Sequence, residues 1–355
     1  MSVPIPTGAG DLTPEWFTAA LAGGVARNAR VVAIEMAAVG TGQIADSVRV
    51  ALTWEPPGAG PATLVTKVTS ASETSRGAAM ATRTYEVEVG FYTDLASDLP
   101  VHAPRCHWAG HDPATGAYAV VLDDMAPAVA GDQVAGCSVD EAALALDEAA
   151  LLHGARWGDA ELSKLSWLDR GGLAASEGLV GFVQSLLPGF LDRYGDRLSP
   201  GVVDLCGRVP DVVAAAAAYD PGPRTVVHND FRNDNLLFGG DRVCVLDWQT
   251  VSLGPALIDV SYFLGGSLLT DDRREHEATL VRRYREQLVG QGVDLSWDAC
   301  WDGYRRYTLA GLVMAIIASM LVVRTDRGDA MFVAMADRAG MHAIDLETEA
   351  LVGGS

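Results

Sequence analysis

Residues 225–250 read TVVHNDFRNDNLLFGGDRVCVLDWQT, and the rest of the chain is best understood outward from them. Short apolar strands flank a polar loop, His228 to Asn235, and a further strand runs into Asp247-Trp248-Gln249. Asp230, Asn235 and Asp247 therefore stand at the ends of apolar strands. Carboxylates and an amide oxygen, without thiolates, suit a hard cation such as Mg²⁺, usually held by one or two carboxylates plus substrate phosphates. A plain hairpin turn also favours Asn and Asp. HxDxxxxN followed by an Asp after the next strand is a far more specific set than such a turn requires.

On either side of this stretch the chain changes character. Upstream, VVAIEMAAV, DSVRVALTW and TLVTKVT are β-branched runs separated by GTGQ and by the Pro/Gly loop EPPGAGPA, which predicts an antiparallel meander. A helix is expected over roughly residues 72–96, then strands near His107 and in AYAVVLDDM. At the N-terminus Thr13 can cap a helix, Pro14 suits its first position, and Leu12 can pack back on it. After Pro127 helical patterning dominates, including the Ala run at 214–218. The fold class expected is α+β. A small β-rich N-terminal lobe (1–122) and a crossing segment (123–127) lead into a large helical lobe (128–355).

The length of 355 residues fits two domains or one two-lobed unit. With 26 Lys+Arg against 46 Asp+Glu, the formal charge is −20, which counts against nucleic acid or an anionic membrane as partner. The five cysteines are scattered without a CxxC or Cys/His cluster, so neither a zinc site nor a disulfide framework is expected. A reducing, cytoplasmic setting is the simplest reading, and the N-terminus lacks the pattern of a signal peptide. Uncharged Thr308–Val323 is shorter than the ~20 residues of a spanning helix, so a fully buried helix is expected there.

Lysine usage singles out one side chain. Only Lys67 and Lys164 are lysines; every other basic residue is arginine. Lys67 lies within the strand LVTKVTS, where a compact ammonium can reach between phosphate oxygens better than a planar guanidinium. A carboxylate partner is expected on the following helix. Glu88 shares a face with Tyr85, Phe91, Tyr92 and Leu95, whereas Glu86 falls with Gly90 and Thr93. An inward carboxylate needs a partner, so Glu88 is the choice. The segment Gly40–Ser47, with Gly40, Gly42 and Ser47, links two strands and can bring backbone N–H groups to phosphates. It is not a P-loop, since no GK[ST] follows. His153 reads as structural, and Asp259, after Gly254-Pro255, as a helix cap or a brace.

In their order along the chain, GTGQIADSVRV, the Lys67 strand, EVGFY, VLDDM, AALLHGARW, HNDFRNDNLLF and DWQTVSLGPALIDVSYFL resemble the aminoglycoside phosphotransferase and choline kinase-like superfamily. The ecdysteroid-kinase-like branch of small-molecule kinases is the most similar. The resemblance runs from about residue 39 to 265 and implies a protein-kinase-like two-lobed fold. It implies that Asp230 orients and deprotonates a substrate hydroxyl, and that Asn235 and Asp247 hold Mg²⁺ on the nucleotide. Lys67, backed by Glu88, would hold the α/β-phosphates under the Gly40–Ser47 loop. Backbone groups from Asp123 to Met125 would meet the adenine of ATP, with GTP as a second possible donor, and Asp259 would brace the catalytic loop. Two positions depart from the family pattern: Asn229 stands for the usual glycine, and Asp123 for the usual glutamate.

The expected activity is therefore Mg²⁺- and ATP-dependent phosphorylation of a hydroxyl on a small molecule: an aminoglycoside, amino alcohol, sugar or steroid-like alcohol. A catalytically silent nucleotide- or metabolite-binding protein of the same fold is the alternative. A metal-dependent hydrolase leaves Lys67 and Glu88 unexplained, and no APE pattern follows Asp247 as in protein kinases. Acidic Asp271-Asp272 and Glu275–Glu277 fit an amine-bearing substrate or a solvated helix surface equally well.

Overall fold

Thr13 Oγ1 accepts the N–H of Trp16 and Pro14 fills the first helical position, which starts α1 (Pro14–Leu21). In the computed structural model, which describes residues 3–24, 28–40, 44–169, 177–216 and 222–353, the chain forms two compact units. One comprises Met1–Asp98, Ala103–Pro127 and Asp247–Thr250; the other comprises Leu99–His102, Ala128–Leu246 and Val251–Ser355.

The first unit is built on a five-stranded antiparallel sheet of order β1-β2-β3-β5-β4. Its strands are β1 (Arg30–Ala38), β2 (Ala45–Glu55), β3 (Thr63–Thr69), β4 (Cys106–Asp112) and β5 (Ala117–Asp123). Period-two patterning sets the faces. Val48, Val50, Leu52 and Trp54 of β2 are buried, and the residues between the last three are exposed. They form one core with Trp16 and Phe17 of α1, Leu64, Val68, Ala119 and Val121. β1 is an edge strand with most of its side chains exposed.

The helix expected over residues 72–96 is broken. α2 (Glu73–Ala81) stops at Thr82, whose hydroxyl donates back to Ala78 O at 2.7 Å. Arg83 then takes a left-handed backbone, φ +56°. α3 (Thr84–Gly90) restarts beyond it and runs into a π-helical turn at Phe91–Leu95. Threonines that bond their own backbone weaken a helix interior, and here Thr82 does so just before the break while its hydroxyl also meets that of Thr84 just after it.

The second unit is mainly helical. It contains β6 (Val129–Ala130), α4 (Val139–Ala155), α5 (Glu177–Tyr194), α6 (Pro200–Cys206) and α7 (Val209–Ala216). Next come β7 (Thr225–Val227), β8 (Leu236–Phe238), β9 (Cys244–Val245) and β10 (Ser252–Gly254). Helices α8 (Leu257–Ser267), α9 (Thr270–Gly290), α10 (Trp297–Arg306), α11 (Ala310–Leu321), α12 (Asp326–Asp345) and α13 (Thr348–Gly353) complete it. Phe190, Tyr194, Val202, Tyr262, Leu312, Ile316 and Met335 belong to one core. Strands β7 and β8, which bracket the polar loop, do not pair with each other: β7 pairs with β10, and β8 lies between β6 and β9. The Ala run is helical as far as Ala216; positions 217 and 218 lie outside the described residues.

The expectation of a fully buried helix at Thr308–Val323 needs correction. α11 buries only one face, through Leu312, Ala315, Ile316 and Ser319, while Leu321 and Val323 are exposed. Its neighbours α5, α8 and α12 do not enclose the end of the apolar run. Among the described residues, no helix is long and apolar enough to cross a membrane.

Candidate active site

In the first unit, β3 places Lys67 between buried Thr66 and Val68 and opposite Ser47 on β2. Its Nζ donates to Glu88 Oε1 and to Asp247 Oδ1, each at 2.7 Å. Glu88 is fully buried on α3 and its second oxygen accepts the Tyr118 hydroxyl. Glu86 faces the other way and pairs with Arg83. The helical phase that separated the two carboxylates in sequence thus separates them in space.

Burial by itself would lower the Lys67 pKa, but Asp247 and then Glu88 outweigh it, and the ammonium is held above its ordinary value. Burial pushes Glu88 up, against the pull of Lys67. The Tyr118 hydroxyl, buried beside Glu88, is pushed well above the usual phenol range and stays a donor. Asp247 has a left-handed backbone, φ +64°, and its side chain remains 38% exposed. Trp248, next in the chain, stacks on Phe91 with ring centroids 3.9 Å apart. Phe91 lies three residues beyond Glu88, so one helix face holds both Lys67 and the Asp247 segment.

The remaining positions of this unit are less tightly held. Gly40 turns the chain at φ +74°, and Gly42 lies outside the described residues. Ser47 is half-buried on β2. Asp123 gives its N–H to Arg105 O and pairs its carboxylate with His107 Nε2 at 2.6 Å. Met125 is half-buried beside Asp124, whose carboxylate takes Arg49.

In the second unit, the loop after β7 is pinned from α8. Asp259, fully buried, accepts the N–H of His228 at 2.6 Å and of Asn229 at 2.8 Å. It also lies 3.1 Å from His153 Nε2, whose other ring nitrogen meets Tyr284 Oη. Asp259 is therefore not the cap of α8, where Ala256 occupies the N-cap. Asn229 sits at φ +63°, a left-handed conformation that asparagine tolerates better than most residues, and its amide donates to Ser252 Oγ. His228 Nε2 is 2.8 Å from Leu246 O, the carbonyl just before Asp247.

These contacts present Asp230, whose carboxylate is gripped on both oxygens. Oδ1 accepts from Arg232 Nε at 3.0 Å and from Tyr262 Oη at 2.9 Å, and Oδ2 from Asn235 Nδ2 at 2.7 Å. Asn235 Nδ2 also donates to Asp230 O, so both amide hydrogens point inward. Among the described residues its Oδ1 is left without a protein donor, as a cation ligand requires. Arg232 is itself anchored on Asp234, which Arg327 and the Gln133 N–H also hold. The Asp230 carboxylate and the amide oxygen of Asn235 are hard oxygen donors of the kind Mg²⁺ takes, and within the first unit the Asp247 carboxylate is another. Glu277 of the acidic stretch turns inward onto Arg273 and Tyr304, while Asp271 is solvated.

Three residues of these clusters were not found from the sequence: Tyr118, Arg232 and Tyr262. Tyr262 had a signal, because it lies three residues after Asp259 and therefore on the same helix face. Arg232 stands inside the motif, two residues after Asp230. Tyr118 reaches from β5 to Glu88 on α3, and no local pattern marks it.

Residues 53–304, more than two-thirds of the chain, match the APH family model, described as "Phosphotransferase enzyme family". No curated protein sequence matches the chain. Among solved structures, a Ralstonia eutropha JMP134 protein assigned as an aminoglycoside phosphotransferase is similar at 16% identity and a TM-score of 0.54, covering 94% of this chain and 97% of its own. Plasmodium vivax ethanolamine kinase is similar at 12% identity and 0.53, covering 87% and 82%. Choline kinase from Cryptosporidium parvum is similar at 11% and 0.53, covering 90% and 91%. At such identities the likeness is one of fold, the two-lobed α+β fold of these kinases.

Proposed function

From the premise that the chain belongs to the phosphotransferase enzyme family, we propose that it moves the γ-phosphoryl group of ATP to a hydroxyl of a small molecule, assisted by Mg²⁺. As a family member it is a small-molecule phosphotransferase with an alcohol acceptor; the donor, the metal and the residue roles are what is proposed. The observation that carries the reading is Lys67, a largely buried strand lysine in an arginine-rich chain, held at 2.7 Å from both Glu88 and Asp247.

In this reading Lys67 binds the α/β-phosphates, with Glu88 fixing its side chain. The Gly40–Ser47 connection covers the phosphates, and backbone groups from Asp123 to Met125 take the base. Asn235 and Asp247 hold Mg²⁺, which when bound neutralises charge on the phosphates. Asp230 orients the acceptor hydroxyl and takes its proton as the oxygen bonds to the γ-phosphorus and the bond to the β-phosphate oxygen breaks. Arg232, Tyr262 and Asn235 keep its carboxylate in one orientation, so positioning is the main contribution of the protein. The acceptor is proposed to be an aminoglycoside, amino alcohol, sugar or steroid-like alcohol.

Thermal stability with Mg²⁺ plus ATP or GTP, compared with Asp247→Asn, tests the donor site without knowledge of the acceptor. A ligand at a hundred times its dissociation constant stabilises by about 2.7 kcal/mol, enough for a shift of a few degrees. A Mg²⁺-dependent shift lost in D247N supports the reading. Absence of any shift at millimolar nucleotide refutes it and favours a silent binding protein. ADP release over a panel of hydroxyl compounds, with product mass, then identifies the acceptor.

A further inference from the structure

The Glu88 carboxylate is divided between two donors: Oε1 takes Lys67 and Oε2 takes Tyr118. Tyr118 comes from β5, on the far side of β3 from β2. Its ring stacks on Tyr85 with centroids 4.2 Å apart and planes 8° from parallel. Tyr85 and Glu88 are three residues apart on α3 and share its inward face. One side chain of β5 thus meets both.

Tyr85 has a second attachment. Its hydroxyl donates to Ile44 O at 2.8 Å, immediately before β2, and receives the Ser70 N–H at 3.3 Å, immediately after β3. Asp46 closes the same corner by accepting from Ser70 Oγ and Ala71 N. Both rings are buried, so neither hydroxyl has water as a substitute partner. An apolar core would need neither phenol. A phenylalanine fills the same space without reaching Glu88 or Ile44.

We propose that Tyr118 is a positioning residue for the nucleotide half-site: it occupies Glu88 Oε2, commits Oε1 to Lys67, and through Tyr85 ties that pair to the point where the β1–β2 connection enters β2. The inference rests on the proposed nucleotide-binding role of Lys67. The Tyr118 hydroxyl acts through Glu88, and the Tyr85 hydroxyl acts through Ile44. Loss of either loosens a different part of one assembly.

The test is binding of a fluorescent ATP analogue with Mg²⁺ to the full-length protein, its Tyr118→Phe and Glu88→Gln variants, and the double variant. Loss of a buried hydrogen bond to a charged group corresponds to about tenfold or more in affinity. Tyr118→Phe should weaken binding by about that factor, and the double variant should be no weaker than Glu88→Gln alone. A residue that only fills the core would lower the melting temperature and leave the dissociation constant unchanged, which overturns the proposal. So do fully additive losses, because Tyr118 then acts independently of Glu88. Should Tyr118→Phe fail to fold, Tyr85→Phe keeps the stack and the Glu88 contact. Several-fold weaker binding by it supports the tie to β2, and wild-type affinity overturns it. A wild-type protein that binds no nucleotide refutes the proposed function and this inference with it; binding unaffected by Tyr118→Phe refutes only the latter.

Discussion

Asp259 accepts the backbone N–H of Asn229 at 2.8 Å while Asn229 is held at φ +63°. A carboxylate without solvent exposure thereby fixes a left-handed residue next to Asp230. Non-glycine residues resist that backbone, and asparagine resists it least because its side chain bonds locally. Asn229→Gly is expected to stay within about 1 kcal/mol of wild type, since relief of strain offsets loss of the Ser252 contact. Asn229→Ala should cost about 1–2 kcal/mol, and Asp259→Asn about 3 kcal/mol or more, because an amide would turn N–H toward N–H. Urea unfolding of the three variants checks the order.

Lys67 is one of only two lysines, so amine acylation read by peptide mass reports on it directly, with Lys164 as an internal standard. Mg·ATP should protect Lys67 and leave Lys164, whose side chain is 70% exposed, unaffected. Equal labelling with and without nucleotide would remove Lys67 from the phosphate site. Lys67→Met should also destabilise by about 3–5 kcal/mol, because Glu88 stays buried without its cation.

Asp230→Asn should abolish turnover while nucleotide binding persists, whereas Asp247→Asn should lose both. Tyr262→Phe removes one of the two donors on Asp230 Oδ1 and leaves Arg232 in place. A fall in kcat of about tenfold with little change in the KM for ATP is expected, as for an interaction that positions the base. Steady-state kinetics on an identified acceptor decide the matter, and full activity of D230N would end its assignment as the base.

Asp234 supplies a pH signature. Burial works against its ionisation, but Arg327, Arg232 and the Gln133 N–H outweigh it and hold the carboxyl below its ordinary range. Its folded-state pKa is thus lower than the unfolded one. The stabilisation is present above about pH 4 and disappears as the pH falls through the folded value. Asp234→Asn should be less stable than wild type by about 1–3 kcal/mol at pH 7, and the gap should narrow steadily below about pH 4. A gap that is constant with pH would mean that the ion pairs contribute nothing.

The sequence by itself determined the α+β division, the meander around Lys67, and the motif that supplies Asp230, Asn235 and Asp247. Each is local: a period of two or 3.6, a turn residue at a fixed offset, or a rare lysine in an arginine-rich chain. Helical phase alone was enough to choose Glu88 over Glu86. What only the tertiary structure decided depends on contacts between segments far apart in the chain. Tyr118 finds Glu88 across thirty positions, and Tyr262 finds Asp230 across thirty-two. The break at Arg83 reflects side-chain bonds of Thr82 that oppose an otherwise helical pattern. Strands β7 and β8, which flank the polar loop, belong to different sheets, because each makes its ladder with a strand that pattern alone cannot match to it. Local periodicity fixes which face of an element is buried; the partner on that face is chosen by packing, where hydrogen-bonding groups cut off from water must find one another.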